Sequence, residues 1–143
     1  MGYAYGPGHL VSKLAPIGNI YYVCTPTPLQ HALSRVLLAD PGYYEGLRSD
    51  FALKRDILCG ALARSGFRIY PSRSSFYAWA RIPERFRDAT ELNEFLIREA
   101  GVAAVPGSAF MDDPDRDVYM RLCFARENSM LQAAAARIEA ALA

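Results

Sequence analysis

The segment from Val118 to Ala125 reads VYMRLCFA. Val118, Met120, Leu122 and Phe124 fall on alternate positions, and Tyr119, Arg121 and Cys123 stand between them. Successive side chains of a strand point to opposite faces, so this is the pattern of a half-buried β-strand with an apolar underside. Arg121 then sits mid-strand on the other face. A guanidinium keeps its proton and is costly to bury without an anion. Three surroundings satisfy it: a carboxylate of the same chain, open solvent, or the carboxylate of a ligand, which its planar fork of donors can grip with two bonds.

The pattern extends outward on both sides. Downstream, Ser129 to Leu142 is a predicted helix with Leu131, Ile138 and Leu142 on its inner side. Upstream, Val102 to Val105 reads as a short strand ahead of the loop Pro106-Gly107-Ser108. Asp88 and Glu91 have capping-box spacing and open a helix that carries Leu92, Phe95 and Leu96 inward and ends at Gly101. Phe67 to Tyr70 and Phe76 to Ile82 read as strands around the polar turn Pro71-Ser72-Arg73-Ser74. Tyr43, Leu47, Phe51, Leu58 and Leu62 keep helical spacing up to Gly66, a helix of about six turns. Asp40-Pro41-Gly42 separates it from an earlier helix, for which Thr27 is the expected N-cap, with Pro28 first and Gln30 completing a capping box. Leu29, Leu33, Val36 and Leu37 form that helix's apolar face. Leu10 to Tyr22 is weakly helical around Pro16 and Gly18, and Tyr3 to Tyr5 reads as a strand end closed by Gly6-Pro7-Gly8. The order β-α-α-α-β-β-α-β-β-α predicts a small sheet covered by helices, an α/β or α+β layer.

Composition narrows the function classes. The chain has 143 residues, of which 52% are apolar, and a net charge of +1. That is enough apolar material for a core and too little basic excess for a nucleic-acid surface. No run approaches the roughly 18 apolar residues of a membrane span. No basic leader precedes an apolar run, and Gly6 stands where a myristoylation signal wants Ser or Thr. The apolar run Gly2-Tyr3-Ala4-Tyr5 reads as a continuation of something earlier. Cys24, Cys59 and Cys123 are far apart and odd in number, which predicts reduced thiols in a cytoplasmic protein and no zinc site.

Other candidate chemistry is thin. Asp113-x-Asp115-x-Asp117 imitates the start of a calcium loop, but Val118 replaces the needed glycine and Phe124 the needed glutamate, so a solvated turn is expected. His9 and His31 are isolated from any catalytic motif, and Gly6-Pro7-Gly8 lacks the further glycine of a phosphate loop.

Taken in order, GYAYGP, CTPTPLQHAL, KRDIL, SGFRIYPSRSSFYAW, GVAAVPGSAF, YMRLCFA and LQAAAARIEAAL resemble the C-terminal part of the class I/II aminotransferases, pyridoxal-phosphate enzymes of fold type I. The resemblance covers essentially the whole chain. It implies that Arg121, the arginine of the R-L-x-F-A strand, binds the α-carboxylate of an amino acid or 2-oxo acid. It also implies that Phe76 and Tyr77 lie near the substrate, and that Arg73 or Ser74 replaces a glycine usual at that turn. The family's Schiff-base lysine and a phosphate-binding arginine precede the segment matching GYAYGP. The lysines here are Lys13 and Lys54, and neither has that context.

The resemblance therefore implies residues 1–41 as the end of a large cofactor-binding domain and residues 42–143 as the small domain with its long interdomain helix. It implies a truncated relative of an aminotransferase, inactive alone and holding no pyridoxal phosphate by itself. Residues 1–41 are expected to be covered by self-association or by a partner. The competing expectations are a non-catalytic interaction module, a gene remnant, or one half of a split enzyme.

Overall fold

A computed structural model describes residues 2, 4–70, 72–111 and 117–143. The chain divides into two compact units, Met1–Glu45 and Gly46–Ala143. No helix among the described residues is long and apolar enough to cross a membrane.

The first unit holds helices α1 (Gly8–Tyr22) and α2 (Thr27–Ala39). α1 continues through Pro16 although that residue offers no N–H to the preceding turn. None of its residues is buried. The expected strand at Tyr3 to Tyr5 is absent where it can be seen: Tyr3 lies outside the described residues, and Ala4 and Tyr5 are not in a strand. Among the described residues this unit contains no second strand whose backbone could pair with one there. The expected N-cap also moves. Pro26, not Thr27, caps α2, with φ −54° and ψ 123°. Those angles are already the non-helical geometry of a cap. The Pro26 carbonyl accepts from the amides of Leu29 at 3.0 Å and Gln30 at 3.3 Å. The Gln30 side chain donates to the Thr25 carbonyl at 2.8 Å instead of closing a box.

The second unit is a four-stranded antiparallel sheet in the order β1-β2-β4-β3. Its strands are β1 (Arg68–Tyr70), β2 (Tyr77–Arg81), β3 (Val105–Pro106) and β4 (Tyr119–Cys123). Helix α3 (Pro41–Arg64) ends through a glycine. Gly66 takes φ +87°, Phe67 N–H bonds to the Leu62 carbonyl at 3.0 Å, and Gly66 N–H to that of Ala63 at 3.2 Å. This Schellman closure turns the chain so that Phe67 enters the core.

Asp88 caps α4 (Ala89–Phe95), its carboxylate accepting from the Glu91 amide at 2.8 Å. The Glu91 side chain answers one residue earlier than a standard box, accepting from the Arg87 amide at 2.9 Å. The helix does not run unchanged to Gly101. Its last turn, Leu96–Ala100, opens into a π-helical turn, and Gly101 then takes φ +62°. β3 is shorter than the predicted Val102 to Val105 because two of those amides are engaged elsewhere. Val102 N–H bonds to the Leu96 carbonyl and Ala104 N–H to the Asn93 side chain at 2.9 Å. α5 (Asn128–Leu142) buries Leu131, Ala135, Ile138 and Leu142.

The core lies on one face of the sheet. Ala78 and Ala80 of β2 and Met120 and Leu122 of β4 point into it, with Phe124 just beyond β4. Leu58 and Leu62 of α3, Leu92 of α4, Leu96 and the inner row of α5 complete it. Apolar burial of this kind contributes roughly 1.5–3 kcal/mol for each large side chain.

Candidate functional site

The alternation that buries Met120 and Leu122 sends Tyr119, Arg121 and Cys123 to the sheet's other face. In the same way Ala78 and Ala80 turn inward while Tyr77, Trp79 and Arg81 turn outward. Cross-strand register sets Arg121 opposite Trp79 on β2 and opposite Val105 on β3. The outer face is thus aromatic with arginines set into it. The Trp79 and Tyr119 rings stack with centroids 5.9 Å apart and planes 15° apart, and Tyr70 meets Tyr119 at 5.9 Å.

Arg121 is half-buried and forms no ion pair or hydrogen bond among the described residues. Its partners are π faces. The guanidinium carbon lies 4.2 Å from the centroid of the Tyr77 ring and 4.4 Å from that of Phe110. Tyr77 comes from β2 and Phe110 from the turn after β3, so the rings reach Arg121 from the strands on either side of β4. Such contacts hold a cation without consuming its N–H donors. Of the three surroundings open to this arginine, an internal carboxylate is therefore not the one found among the described residues.

The sequence-predicted neighbours separate. Tyr77 meets Arg121, whereas Phe76 is one residue out of phase and its ring rests on Phe51 of α3 at 5.2 Å. Backbone pairing holds that corner, with Phe124 N–H bonded to the Phe76 carbonyl at 2.9 Å. In the turn before β2 the residue with positive φ is Ser75, at +79°. Sequence reasoning placed the missing glycine at Arg73 or Ser74. Phe110 carries no role in the resemblance beyond closing GVAAVPGSAF. The signal that could have found it is its place just past a Pro-Gly turn beside the arginine strand.

Asp117 links the start of α4 to the turn after β3. Its carboxylate accepts from the Ser108 amide at 3.1 Å and from the Thr90 hydroxyl at 3.0 Å. Asp112, Asp113 and Asp115 lie outside the described residues. No group of His, Cys, Asp or Glu able to hold a metal occurs among the described residues. His9 and His31 are both exposed, and Cys24, Cys59 and Cys123 are free thiols. Burial pushes the half-buried Cys59 thiol up, against the opposing pull of Arg55, which makes it a poor nucleophile.

A pyridoxal-phosphate site needs a lysine amine facing a cavity with anion donors around it. Lys13 projects from the exposed surface of α1. Lys54 is bound to Asp50 at 2.7 Å and lies over the Phe51 ring, 5.1 Å from its centroid. The described residues of this chain do not fit that cofactor.

Comparison with known proteins matches these features. Residues 1–138 match the family aminotransferase class I and II. Methionine aminotransferase of Escherichia coli K12 is 34% identical over 139 residues, which are 96% of this chain and 36% of that protein. The solved structure of the E. coli methionine aminotransferase YbdL superimposes with a TM-score of 0.76 at 33% identity, over 94% of this chain and 35% of that one. N-succinyldiaminopimelate aminotransferase from Mycobacterium tuberculosis gives 0.78 at 28% identity, over 96% and 36%. The chain spans about a third of the length of these relatives. With the family match running through all but its last residues, this chain belongs to the class I and II aminotransferases, a family of pyridoxal-phosphate enzymes.

Proposed function

We propose that this chain supplies the substrate-carboxylate half-site of an amino-group transferase. Arg121 binds the α-carboxylate that an amino acid and its 2-oxo acid share, and so orients both the donor and the acceptor. The observation that carries this reading is the half-buried guanidinium held by two rings, with no anionic partner among the described residues. A carboxylate there gains two charge-assisted bonds, and the rings restrict the arginine before the ligand arrives. Tyr77 covers one side of the same guanidinium.

Pyridoxal phosphate is held outside these residues, so the chain alone binds substrate and does not turn it over. The names of the relatives range over methionine, glutamate-pyruvate and aromatic amino acids. What their amino acids share is the α-carboxylate, the group that Arg121 would bind. The free thiols fit the reducing cytoplasm.

Pyruvate, the simplest 2-oxo acid, is the probe. Titrated into the full chain labelled with 15N, it shifts the Arg121 Nε–H signal saturably, whereas neutral pyruvamide does not, and Arg121→Ala abolishes the response. Equal shifts from both compounds, or a response that survives in the alanine variant, would refute the reading. Transamination by the purified chain would refute its inactivity.

A further inference from the structure

We propose that Phe110 is a positioning residue that holds the Arg121 guanidinium in its receiving orientation. The proposal rests on the carboxylate reading of Arg121 and adds the group that presents it. Phe110 is 49% exposed, too open to be explained by core burial. Its ring instead has two defined partners, the Arg121 guanidinium at 4.4 Å and the edge of Trp79 at 6.0 Å with planes 71° apart. Trp79 is in turn stacked on Tyr119, so the ring over the arginine is braced by the sheet itself.

The backbone leading to Phe110 is built for the same purpose. Gly107 begins a 3₁₀ turn, Gly107–Ala109, and the Phe110 amide closes it on the Gly107 carbonyl at 2.9 Å. A Cβ on Gly107 would stand 2.9 Å from the Tyr119 carbonyl oxygen. That turn can therefore lie directly on β4 only because residue 107 has no side chain. Asp117 ties the Ser108 amide of the same turn. Close approach, turn closure and side-chain tie together fix where the Phe110 ring falls, and it falls on Arg121. The ring covers the guanidinium without using its N–H groups, which stay free for an anion.

The test compares Phe110→Leu, which keeps apolar bulk without a π face, with Phe110→Tyr, which keeps the ring. In the unmutated chain, nuclear Overhauser contacts are expected to join the Phe110 ring protons to the Arg121 δ protons, with ring current moving those protons upfield. Phe110→Leu returns them toward ordinary arginine positions and weakens pyruvate binding roughly fivefold, the size of one half-exposed cation–π contact. Phe110→Tyr restores both. The proposal is overturned if the contacts are absent from the unmutated chain, a result independent of how any variant folds. It is also overturned if Phe110→Leu leaves the Arg121 protons and the pyruvate affinity unchanged. Failure of the carboxylate reading looks different: the ring contacts are present and the unmutated chain binds no pyruvate.

Discussion

Ser75 occupies backbone space that suits glycine, with φ +79°. A side chain there costs of order 1 kcal/mol. Ser75→Gly is therefore expected to stabilise the chain by about 0.5–1 kcal/mol, read as a higher midpoint in urea, provided the turn keeps its shape. No change, or a loss, would mean that the surrounding turn favours this conformation in some other way. The resemblance expects a glycine at Arg73 or Ser74, and the positive φ of this turn falls on Ser75. Residue identity reports a substitution, whereas only the folded backbone reports which residue bears the torsion. Arg121 shows the opposite case. Its position on a polar face could be read from the alternation of its neighbours, because strand periodicity is a local property. Its partners could not, since Tyr77 and Phe110 are brought to it by pairing across β2 and β3.

Helix α4 and the turn after β3 show how elements hold these side chains. The Asp88 carboxyl is held below the usual carboxylate range, first by the Glu91 amide and then by the Arg87 side chain. A group whose pKa is lowered by folding contributes fully above its unfolded value of about 4, and the contribution is lost as pH falls through the lower folded value. Asp88→Ala should therefore cost about 1 kcal/mol at neutral pH, as loss of an N-cap does, and progressively less in strong acid. Urea titrations at pH 7 and pH 2.5 check this; a cost that is equal at both would exclude the charged cap as its source. Gly107→Ala places a methyl against the Tyr119 carbonyl. A loss of about 1–3 kcal/mol is expected, with the Trp79 fluorescence shifted as Phe110 moves away, and unchanged fluorescence would count against the turn as the source of that placement. The capping signal at Asp88 was legible because it is carried by residues three apart. The π turn at Leu96–Ala100 was not, since its sequence continues the helical pattern without a break. Nor was the cap of α2, where two prolines compete for the start and the carbonyl of the first one wins.

At the scale of the molecule, burial is uneven between the units. Leu10, Leu14, Ile17 and Ile20 of α1 and Leu29, Val36 and Leu38 of α2 are exposed, while the row from Leu58 to Leu142 is enclosed. Amides of β2, β4 and α5 should exchange most slowly and those of residues 8–39 much faster, as stability follows enclosed apolar contact. Light scattering should show concentration-dependent association through the exposed residues. A strict monomer with uniform protection would refute both. The family was legible because motifs along the chain keep their order, and the sheet because its inner residues alternate. The exposure of the first unit's apolar residues was not legible, since helical spacing shows which residues share a face and not whether that face is buried. The carboxylate of Asp117 carries a further consequence. It fastens Thr90 at the start of α4 to Ser108 in the turn that leads to Phe110, so residues 105–121 are not a portable cassette. Grafted alone onto another scaffold, they would bring the arginine and its ring while leaving one anchor behind. A working transplant would have to include the first turn of α4.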